Sequence, residues 1–157
     1  MDLLNKKGKI FLTGIGGIGM SGIAEILHNL GYEVSGSDIK DGSNVRRLKK
    51  IGIKTKIGHH GDNINDASLL VYSSAIKQNN KELKKARSLR IPIISRSEML
   101  AELMRMKKTI TVAGSHGKTS TISIISEIFY TSKLDPTVIN GGIINSFGSN
   151  TRLGSCL

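Results

Sequence analysis

The sequence is short of cysteine, proline and aromatic residues, and each shortage excludes a class of protein. One cysteine among 157 residues cannot form a disulfide within the chain, which predicts a reducing compartment, the cytoplasm. Two prolines and 38% hydrophobic residues exclude collagen-like and disordered chains and predict a packed core. Because no apolar run is long enough to span a bilayer, we expect no membrane partner.

Acidic residues are also scarce, since 12 Asp and Glu stand against 23 Lys and Arg and leave a formal net charge of +11. This excess favours polyanions, phosphorylated ligands or acidic membranes without choosing among them. A surface for nucleic acid would interleave basic and aromatic residues, but aromatic residues make up only 4% of the chain. We therefore expect no nucleic-acid partner.

Short apolar runs alternate with helical patterns, which predicts an α/β fold built on a parallel sheet. The runs that predict strands are 10–13, 32–35, 53–57, 69–73, 91–95 and 109–113. The patterns that predict helices are 20–30, 45–51, 81–89, 99–104 and 122–130. Gly31 follows the first helix as a left-handed cap, and Ser95 and Glu98 form a capping box before the fourth. The polar string Arg105 to Lys108 predicts a domain boundary.

A first glycine loop, Gly14-x-Gly16-x-x-Gly19, follows the first predicted strand and opens a helix. In this context the glycines allow a tight turn, close approach of backbone to a diphosphate, and close helix packing, while the helix N-terminus favours the anion. Asp38 follows the second strand, where dinucleotide-binding folds place a ribose-binding acid. The loop permits NAD or another diphosphate-bearing nucleotide, and a glycine-rich turn without a ligand is the structural alternative.

A second glycine loop, Gly114 to Ser120, also lies between a predicted strand and a helix. It departs from the common phosphate loop because Ala113 replaces the glycine five positions before Lys118. Its backbone amides could still cradle phosphate, the Lys118 ammonium could neutralise it, and the Thr119 hydroxyl could ligate Mg²⁺. The alternative is an ordinary Gly-Lys-Thr helix start.

Two such loops about a hundred residues apart resemble the Mur ligase family, the ATP-dependent ligases of peptidoglycan precursor synthesis. The likeness to members that join L-alanine to UDP-N-acetylmuramate runs from about Lys9 to Gly154. The strings that carry it are Gly14-Ile-Gly-Gly-Ile-Gly-Met-Ser-Gly-Ile-Ala-Glu, Ser35-Gly-Ser-Asp38, Tyr72-Ser-Ser-Ala-Ile76, Arg96-Ser-Glu-Met-Leu-Ala-Glu-Leu-Met-Arg105 and Ala113-Gly-Ser-His-Gly-Lys-Thr.

The resemblance implies two domains and two sets of binding residues. Residues 1–106 would form a Rossmann-like domain that binds UDP-N-acetylmuramate, and residues 107–157 would begin a P-loop ATPase domain that binds ATP and Mg²⁺. Lys118 and Thr119 would be catalytic, with Thr119 on the metal. The residues implied at the UDP-sugar are Gly14, Gly16, Gly17, Gly19, Met20, Ser37, Asp38, His59, Ser73 and Ser74. Those implied at ATP are Gly114, Ser115, His116, Gly117, Lys118, Thr119 and Ser120.

The family reaction implied is formation of an acyl phosphate from the muramate carboxylate, followed by attack of the L-alanine amine. Family members continue past the position of Gly154 into an acidic segment that helps to hold Mg²⁺. We therefore expect this chain to be the N-terminal part of such a ligase, truncated in its ATP-binding domain and inactive by itself. Two alternatives stay open: a UDP-sugar-binding module without activity, and an NAD-dependent oxidoreductase, which leaves the second loop unexplained. The sequence predicts no oligomeric state.

Overall fold

The computed structural model describes residues 8–144 and 149–154 of the chain. The chain divides into two compact units after Leu103. The first unit is an α/β structure, and the second contains one long helix and a β-hairpin. Among the described residues no helix is long and apolar enough to cross a membrane.

A five-stranded parallel sheet forms the centre of the first unit, as the alternating pattern predicted. Its strands are β1 Lys9–Thr13, β2 Glu33–Asp38, β3 Lys54–Ile57, β4 Leu69–Tyr72 and β5 Ile93–Ser95. They lie in the order β3-β2-β1-β4-β5, and Thr13, the last residue of β1, pairs with Ser37 and with Tyr72. The chain therefore reverses its direction of winding between β1 and β4, which is the switch point where open parallel sheets bind ligands.

Four helices and a short 3-10 helix accompany these strands. They are α1 Ile18–Asn29, α2 Ser43–Lys50, the 3-10 helix Gly61–Ile64, α3 Lys81–Ser88 and α4 Arg96–Arg105. The predicted caps are confirmed, because Gly31 has a φ of +87° after α1. At α4, Ser95 N donates to Glu98 Oε2 (2.6 Å) and Glu98 N donates to Ser95 Oγ (3.3 Å), which is the reciprocal capping box.

The core of the first unit is apolar side chains from the sheet and from one face of each helix. β1 contributes Phe11 and Leu12, which are almost completely buried, and α1 contributes Ile23 and Leu27. On the opposite side Phe11 and Leu70 pack with residues of α3 and the 3-10 helix. Helix α3 exposes basic residues on its outer face and buries Glu82, Leu83 and Ala86 on its inner face.

The second unit contains α5 Lys118–Thr131, β6 Val138–Ile144 and β7 Ser149–Arg152, with β6 and β7 antiparallel. The prediction of a strand over 109–113 is wrong for this structure. A strand requires a hydrogen-bonded neighbour, and none of the strands in 8–144 and 149–154 pairs with these residues. Ile110 is correspondingly exposed. Helix α5 begins four residues before the predicted 122–130 pattern.

Candidate nucleotide and phosphate sites

The first glycine loop lies at the carboxyl edge of the parallel sheet, between β1 and α1. The backbone amides of Gly14 and Ile15 both donate to the carbonyl of Ser37, at 2.8 and 2.9 Å, so the loop is anchored on the end of β2. Gly14 has a φ of +81°, a conformation that favours glycine. Gly17 N donates to Gly14 O at 3.2 Å, and the first intrahelical bond of α1 runs from Ser21 N to Gly17 O, so the amides of Gly19 and Met20 are directed towards the helix end.

The peptide of Gly16 is held on both sides by protein groups. Its amide donates to Asp38 Oδ2 at 2.8 Å, and its carbonyl accepts from Asn44 Nδ2 at 2.8 Å. A β-carbon on Gly16 would lie 2.8 Å from Val45 Cγ2 and 2.9 Å from Asp38 Oδ2. The neighbouring Val45 and Asp38 side chains therefore leave no room for a side chain on Gly16, whether or not a ligand is bound. The Asp38 carboxylate faces the loop.

The carboxyl end of β4 closes the other side of the loop. Ser73 N donates to Thr13 O at 3.2 Å, and a β-carbon on Gly14 would lie 3.1 Å from Ser73 Cβ. Ser74 follows with an exposed side chain. The structure thus brings Gly14, Gly16, Asp38 and Ser73 together around one turn, although they come from three separate stretches of the sequence.

Arg96 is a member of this neighbourhood that was not among the predicted site residues. It follows β5 directly, is half-buried, and places Nη1 3.0 Å from where a Gly19 β-carbon would be. In the described part of the chain no carboxylate forms an ion pair with it, whereas Arg47 pairs with Glu25 and Lys9 with Asp66. A guanidinium therefore lies beside the N-terminus of α1. The only sequence signal was its place in the quoted Arg96 to Arg105 string.

Glu82 is the second residue that the sequence analysis missed, and its side chain is fully buried. Thr13 Oγ1 and Ser37 Oγ donate to Glu82 Oε2 at 2.8 and 2.7 Å, and Asn63 Nδ2 donates to Oε1 at 2.7 Å. His59 Nδ1 lies 2.8 Å from Ser37 Oγ and 3.4 Å from Oε2. Nothing in a basic helical pattern signals a buried acid at the start of α3.

Two of the predicted site residues have buried side chains. Met20 is 1% exposed and packs in the core, so only its backbone amide in the first turn of α1 is directed towards the loop. Ser37 is fully buried, with its hydroxyl bonded to Glu82 and its carbonyl to the loop amides. These two residues therefore support the loop from beneath. Gly17 and Ser74 are exposed, and His59 is partly so.

The second glycine loop, in the second unit, is exposed along its length from Gly114 to Ser120. Gly117 caps α5 in a left-handed conformation with a φ of +76°. Lys118 Nζ folds back to donate to Gly114 O at 2.5 Å and Ser115 O at 3.2 Å. Thr119 is in the first turn of α5 and its carbonyl accepts from Ser123 Oγ. His116 has an exposed side chain.

The second loop offers few side chains that could bind a metal ion. Within the described residues no group of three or more His, Cys, Asp or Glu side chains could hold a metal ion. Mg²⁺ does not need such a cage, because it takes one or two protein oxygens together with phosphate oxygens and water. The exposed Thr119 hydroxyl could supply one such protein oxygen, with the others coming from phosphate and water.

The sheet order and the βαβ connections define an α/β protein of the Rossmann-like class. Comparison with known proteins gives a more specific result: residues 9–108 match the Mur ligase family, catalytic domain. The chain belongs to the Mur ligase family.

Individual relatives agree with this membership. The UDP-N-acetylmuramate–L-alanine ligase of Xanthobacter autotrophicus is 57% identical over 154 residues, which cover 98% of this chain and 33% of that protein. The corresponding ligase of Methylobacterium nodulans is 58% identical over 154 residues with the same coverage. This chain therefore spans about a third of the length of the curated relatives that it matches.

Solved structures of the family have the same fold. The UDP-N-acetylmuramate–alanine ligase of Thermotoga maritima superposes with a TM-score of 0.87 at 33% identity, over 95% of this chain and 35% of that one. The UDP-N-acetylmuramate:L-alanyl-gamma-D-glutamyl-meso-diaminopimelate ligase of Neisseria meningitides gives 0.85 at 31% identity, over 93% and 46%.

Proposed function

We propose that this chain is the N-terminal part of an ATP-dependent ligase that joins L-alanine to UDP-N-acetylmuramate in peptidoglycan precursor synthesis. In this proposal residues 1–106, which include the first unit, form the Rossmann-like UDP-sugar domain, and residues 107–157 begin the P-loop ATPase domain. The observation that carries it is the first glycine loop at the sheet's switch point, beside a guanidinium, that of Arg96, which forms no ion pair with any described residue. The sugar nucleotide and the amino acid in this proposal are inferred from the relatives, which are UDP-N-acetylmuramate–L-alanine ligases.

The UDP diphosphate would lie at the N-terminus of α1. The exposed Gly17 would border it, the backbone amides of Gly19 and Met20 in the first turn of α1 would donate to it, and the helix dipole favours its charge. Arg96 would neutralise a diphosphate oxygen, because its guanidinium is beside Gly19 without an acidic partner in the described residues. Ser73 and Ser74 at the end of β4 would border the same group, and His59 beyond β3 would adjoin the nucleoside.

The position of Asp38 favours a UDP-sugar over NAD. The NAD interpretation rested on Asp38 as a ribose-binding acid, but its Oδ2 already accepts from Gly16 N and its Oδ1 from Lys40 N. A carboxylate engaged in this way stabilises the loop rather than presenting both oxygens to a ribose. The second loop, which NAD chemistry leaves unused, has a role in an ATP-dependent ligase.

ATP would bind at the second loop through the amides of Gly114 to Ser120. Lys118 now donates to two carbonyls of that loop, and the same ammonium would turn to the β and γ phosphates when they replace this contact. The Thr119 hydroxyl would hold Mg²⁺, which supplies charge neutralisation at the phosphates. In this proposal the γ-phosphoryl group passes to the muramate carboxylate, and the L-alanine amine then displaces phosphate.

Calorimetric binding tests the first half of the proposal without requiring turnover. We expect UDP-N-acetylmuramate to bind the chain and NADH not to bind. Arg96→Ala should weaken the sugar nucleotide by about 10- to 100-fold, as expected for loss of a charged hydrogen bond of about 1.5–3 kcal/mol. Arg90→Ala is the matched control, since it removes the same charge just before β5, at the opposite edge of the sheet. Equal effects of the two variants, or tighter binding of NADH, would contradict the proposal.

ATP binding is tested separately with a fluorescent ATP analogue and Mg²⁺. Lys118→Ala should lower the affinity at least about tenfold, because the ammonium is the charged partner of the phosphates. Lys107→Ala removes an exposed lysine from the same unit and should leave binding unchanged. An undiminished affinity in Lys118→Ala would remove the second loop from the ATP site.

A further inference from the structure

Glu82 is a fully buried acid with no part in the chemistry proposed above. It begins α3, where Asn80 Oδ1 accepts from the amides of Glu82 and Leu83 at 2.8 and 3.4 Å. Its carboxylate lies at the carboxyl edge of the sheet, where it accepts hydrogen bonds from Thr13 at the end of β1 and Ser37 in β2. Burying a charged group is costly unless it is hydrogen-bonded, so the residues that hydrogen-bond the Glu82 carboxylate indicate what this side chain does.

The hydrogen bonds around Glu82 determine where the proton of His59 lies. A carboxylate only accepts, and Ser37 Oγ donates its single proton to Oε2 at 2.7 Å. The oxygen of Ser37 is then an acceptor towards His59 Nδ1, 2.8 Å away. Nδ1 must therefore carry the hydrogen, since the reverse arrangement would place two lone pairs against each other between Ser37 and Glu82. In the neutral ring Nε2 is left as an acceptor.

We propose that Glu82 is a positioning residue that acts through Ser37 to hold His59 in the Nδ1–H form, with Nε2 as an acceptor for an N–H group of the bound base. This inference rests on the proposed UDP-sugar site. The His59 side chain is 12% exposed, and its Nδ1 contacts Ser37 Oγ and Glu82 Oε2, so Nε2 is the ring nitrogen that these two residues do not engage.

This arrangement selects between pyrimidines. Uracil carries an N–H at ring position 3, which an acceptor nitrogen binds, whereas cytosine has a lone pair at that position. A site built around one hydrogen-bond partner rejects an analogue that lacks it. Glu82 would thus contribute to preference for UDP over CDP although it never touches the nucleotide.

Glu82→Gln should reverse the proton arrangement. Asn63 Nδ2 donates to Oε1 and also to Gly58 O, so the new carbonyl oxygen is expected at the Oε1 position and the new NH₂ beside Ser37. Ser37 would then accept from Gln and donate to Nδ1, which moves the hydrogen of His59 to Nε2. Thr13→Val is the matched control, because it removes a bond to the same carboxylate from an equally buried residue without touching Ser37 or His59.

Two measurements test the inference. Long-range ¹H–¹⁵N NMR of the ligand-free protein, at a pH where the ring is neutral, should show hydrogen on Nδ1 in the wild type and in Thr13→Val. Glu82→Gln should show hydrogen on Nε2. Calorimetry with UDP and CDP should give a preference for UDP in the wild type that falls about tenfold in Glu82→Gln, the value of one hydrogen bond, and is kept in Thr13→Val.

Several results would overturn it: a wild-type ring protonated at Nε2, a Glu82→Gln ring unchanged from wild type, or an equal loss of UDP preference in Thr13→Val. If Glu82→Gln does not fold, the wild-type tautomer and the wild-type ratio of UDP to CDP affinity decide the question. Failure of UDP-N-acetylmuramate to bind the wild type would reject the proposed function instead, and the tautomer of the ligand-free protein would still test Glu82.

Discussion

Placing a methyl group on Gly16 is the sharpest test of how the first glycine loop is built. The glycine spacing alone attributes this residue to close approach of a diphosphate. In the structure the same space is bounded by Val45 Cγ2 and Asp38 Oδ2, at 2.8 and 2.9 Å from the position of a β-carbon. Gly16→Ala should therefore damage the free protein as well as the complex.

The magnitude follows from these two contacts. Ordinary contacts of a β-carbon begin near 3.4 Å, so both neighbours must move by about half an ångström. Val45 is fully buried at the start of α2, and overpacking of such a site costs about 1–3 kcal/mol. For a unit of roughly 100 residues, each kcal/mol corresponds to about 4–8 °C in Tm, so we expect a loss of at least about 4 °C.

Gly17→Ala is the matched control at the next position. A β-carbon on Gly17 would meet Gly14 O at 3.4 Å and Met20 at 3.8 Å, which are ordinary contacts, so its Tm should stay within about 2 °C. Both variants should bind UDP-N-acetylmuramate weakly in calorimetry, but only Gly16→Ala should unfold early.

A double-mutant cycle assigns the cause of the destabilisation. Val45→Ala removes Cγ2, so the cost of Gly16→Ala should fall in that background by about 0.5 kcal/mol or more. Equal melting temperatures for the two glycine variants, or no coupling to Val45, would refute this reasoning.

Three further predictions concern other parts of the fold. The amide and hydroxyl of Ser95 hold the pKa of Glu98 below its ordinary value of 4.5, so the capping box should stabilise α4 above pH 4.5 and lose this effect as the pH falls through the lowered pKa. An NMR titration of the Ser95 amide should show this, and a midpoint at or above 4.5 would contradict it. Gly36→Ala should cost more than about 3 kcal/mol in urea denaturation, because the new carbon would overlap the backbone carbonyl oxygen of Leu12, and no side-chain rotation relieves that overlap; an unchanged denaturation midpoint would contradict this prediction. Amide hydrogens of α5 should exchange much faster than those of β1, because α5 buries only Ser126 while β1 is buried along most of its length; equal protection would show that α5 is firmly packed.

Much of the first unit could be predicted from local patterns. The central strands β1 and β4 coincide with short apolar runs, because a parallel strand inside the sheet is covered on both faces. β2 and the edge strand β3 carry several polar residues, so their apolar patterns were weaker. Helix ends followed from local chemistry: Gly31 supplies the left-handed cap of α1, and the Ser95 and Glu98 pair starts α4. The failure at 109–113 has the same origin, since an apolar run indicates burial but cannot supply the neighbour that makes it a strand.

The site was predicted less completely because it depends on contacts between distant residues. Gly14 to Gly19 and Asp38 are visible as a local fingerprint, and the structure brings them together as expected. Arg96 and Glu82 reach the same edge from β5 and α3, and no spacing rule connects residues so far apart. A lone arginine or glutamate in a polar helix has many ordinary explanations, so only the fold separates these two from the others.

The glycine spacing of the first loop, Gly14-x-Gly16-x-x-Gly19, indicates a tight turn more directly than it indicates a particular ligand. Val45 and Asp38 fill the space that a side chain on Gly16 would need, and the Arg96 guanidinium lies 3.0 Å from the position of a Gly19 β-carbon, so the protein's own atoms account for the glycine at position 16. The same spacing therefore suits any nucleotide whose diphosphate fits the end of α1, which is why the sequence left NAD and UDP-sugars open. The groups that other elements place around that turn can distinguish them. These are the Asp38 carboxylate bonded to the loop, the Arg96 guanidinium, which forms no ion pair with any described residue, and His59, whose Nδ1 lies 2.8 Å from Ser37 Oγ. Specificity in this unit would then reside in the residues that carry no motif, and substitutions among them should change which nucleotide binds while the loop keeps its shape.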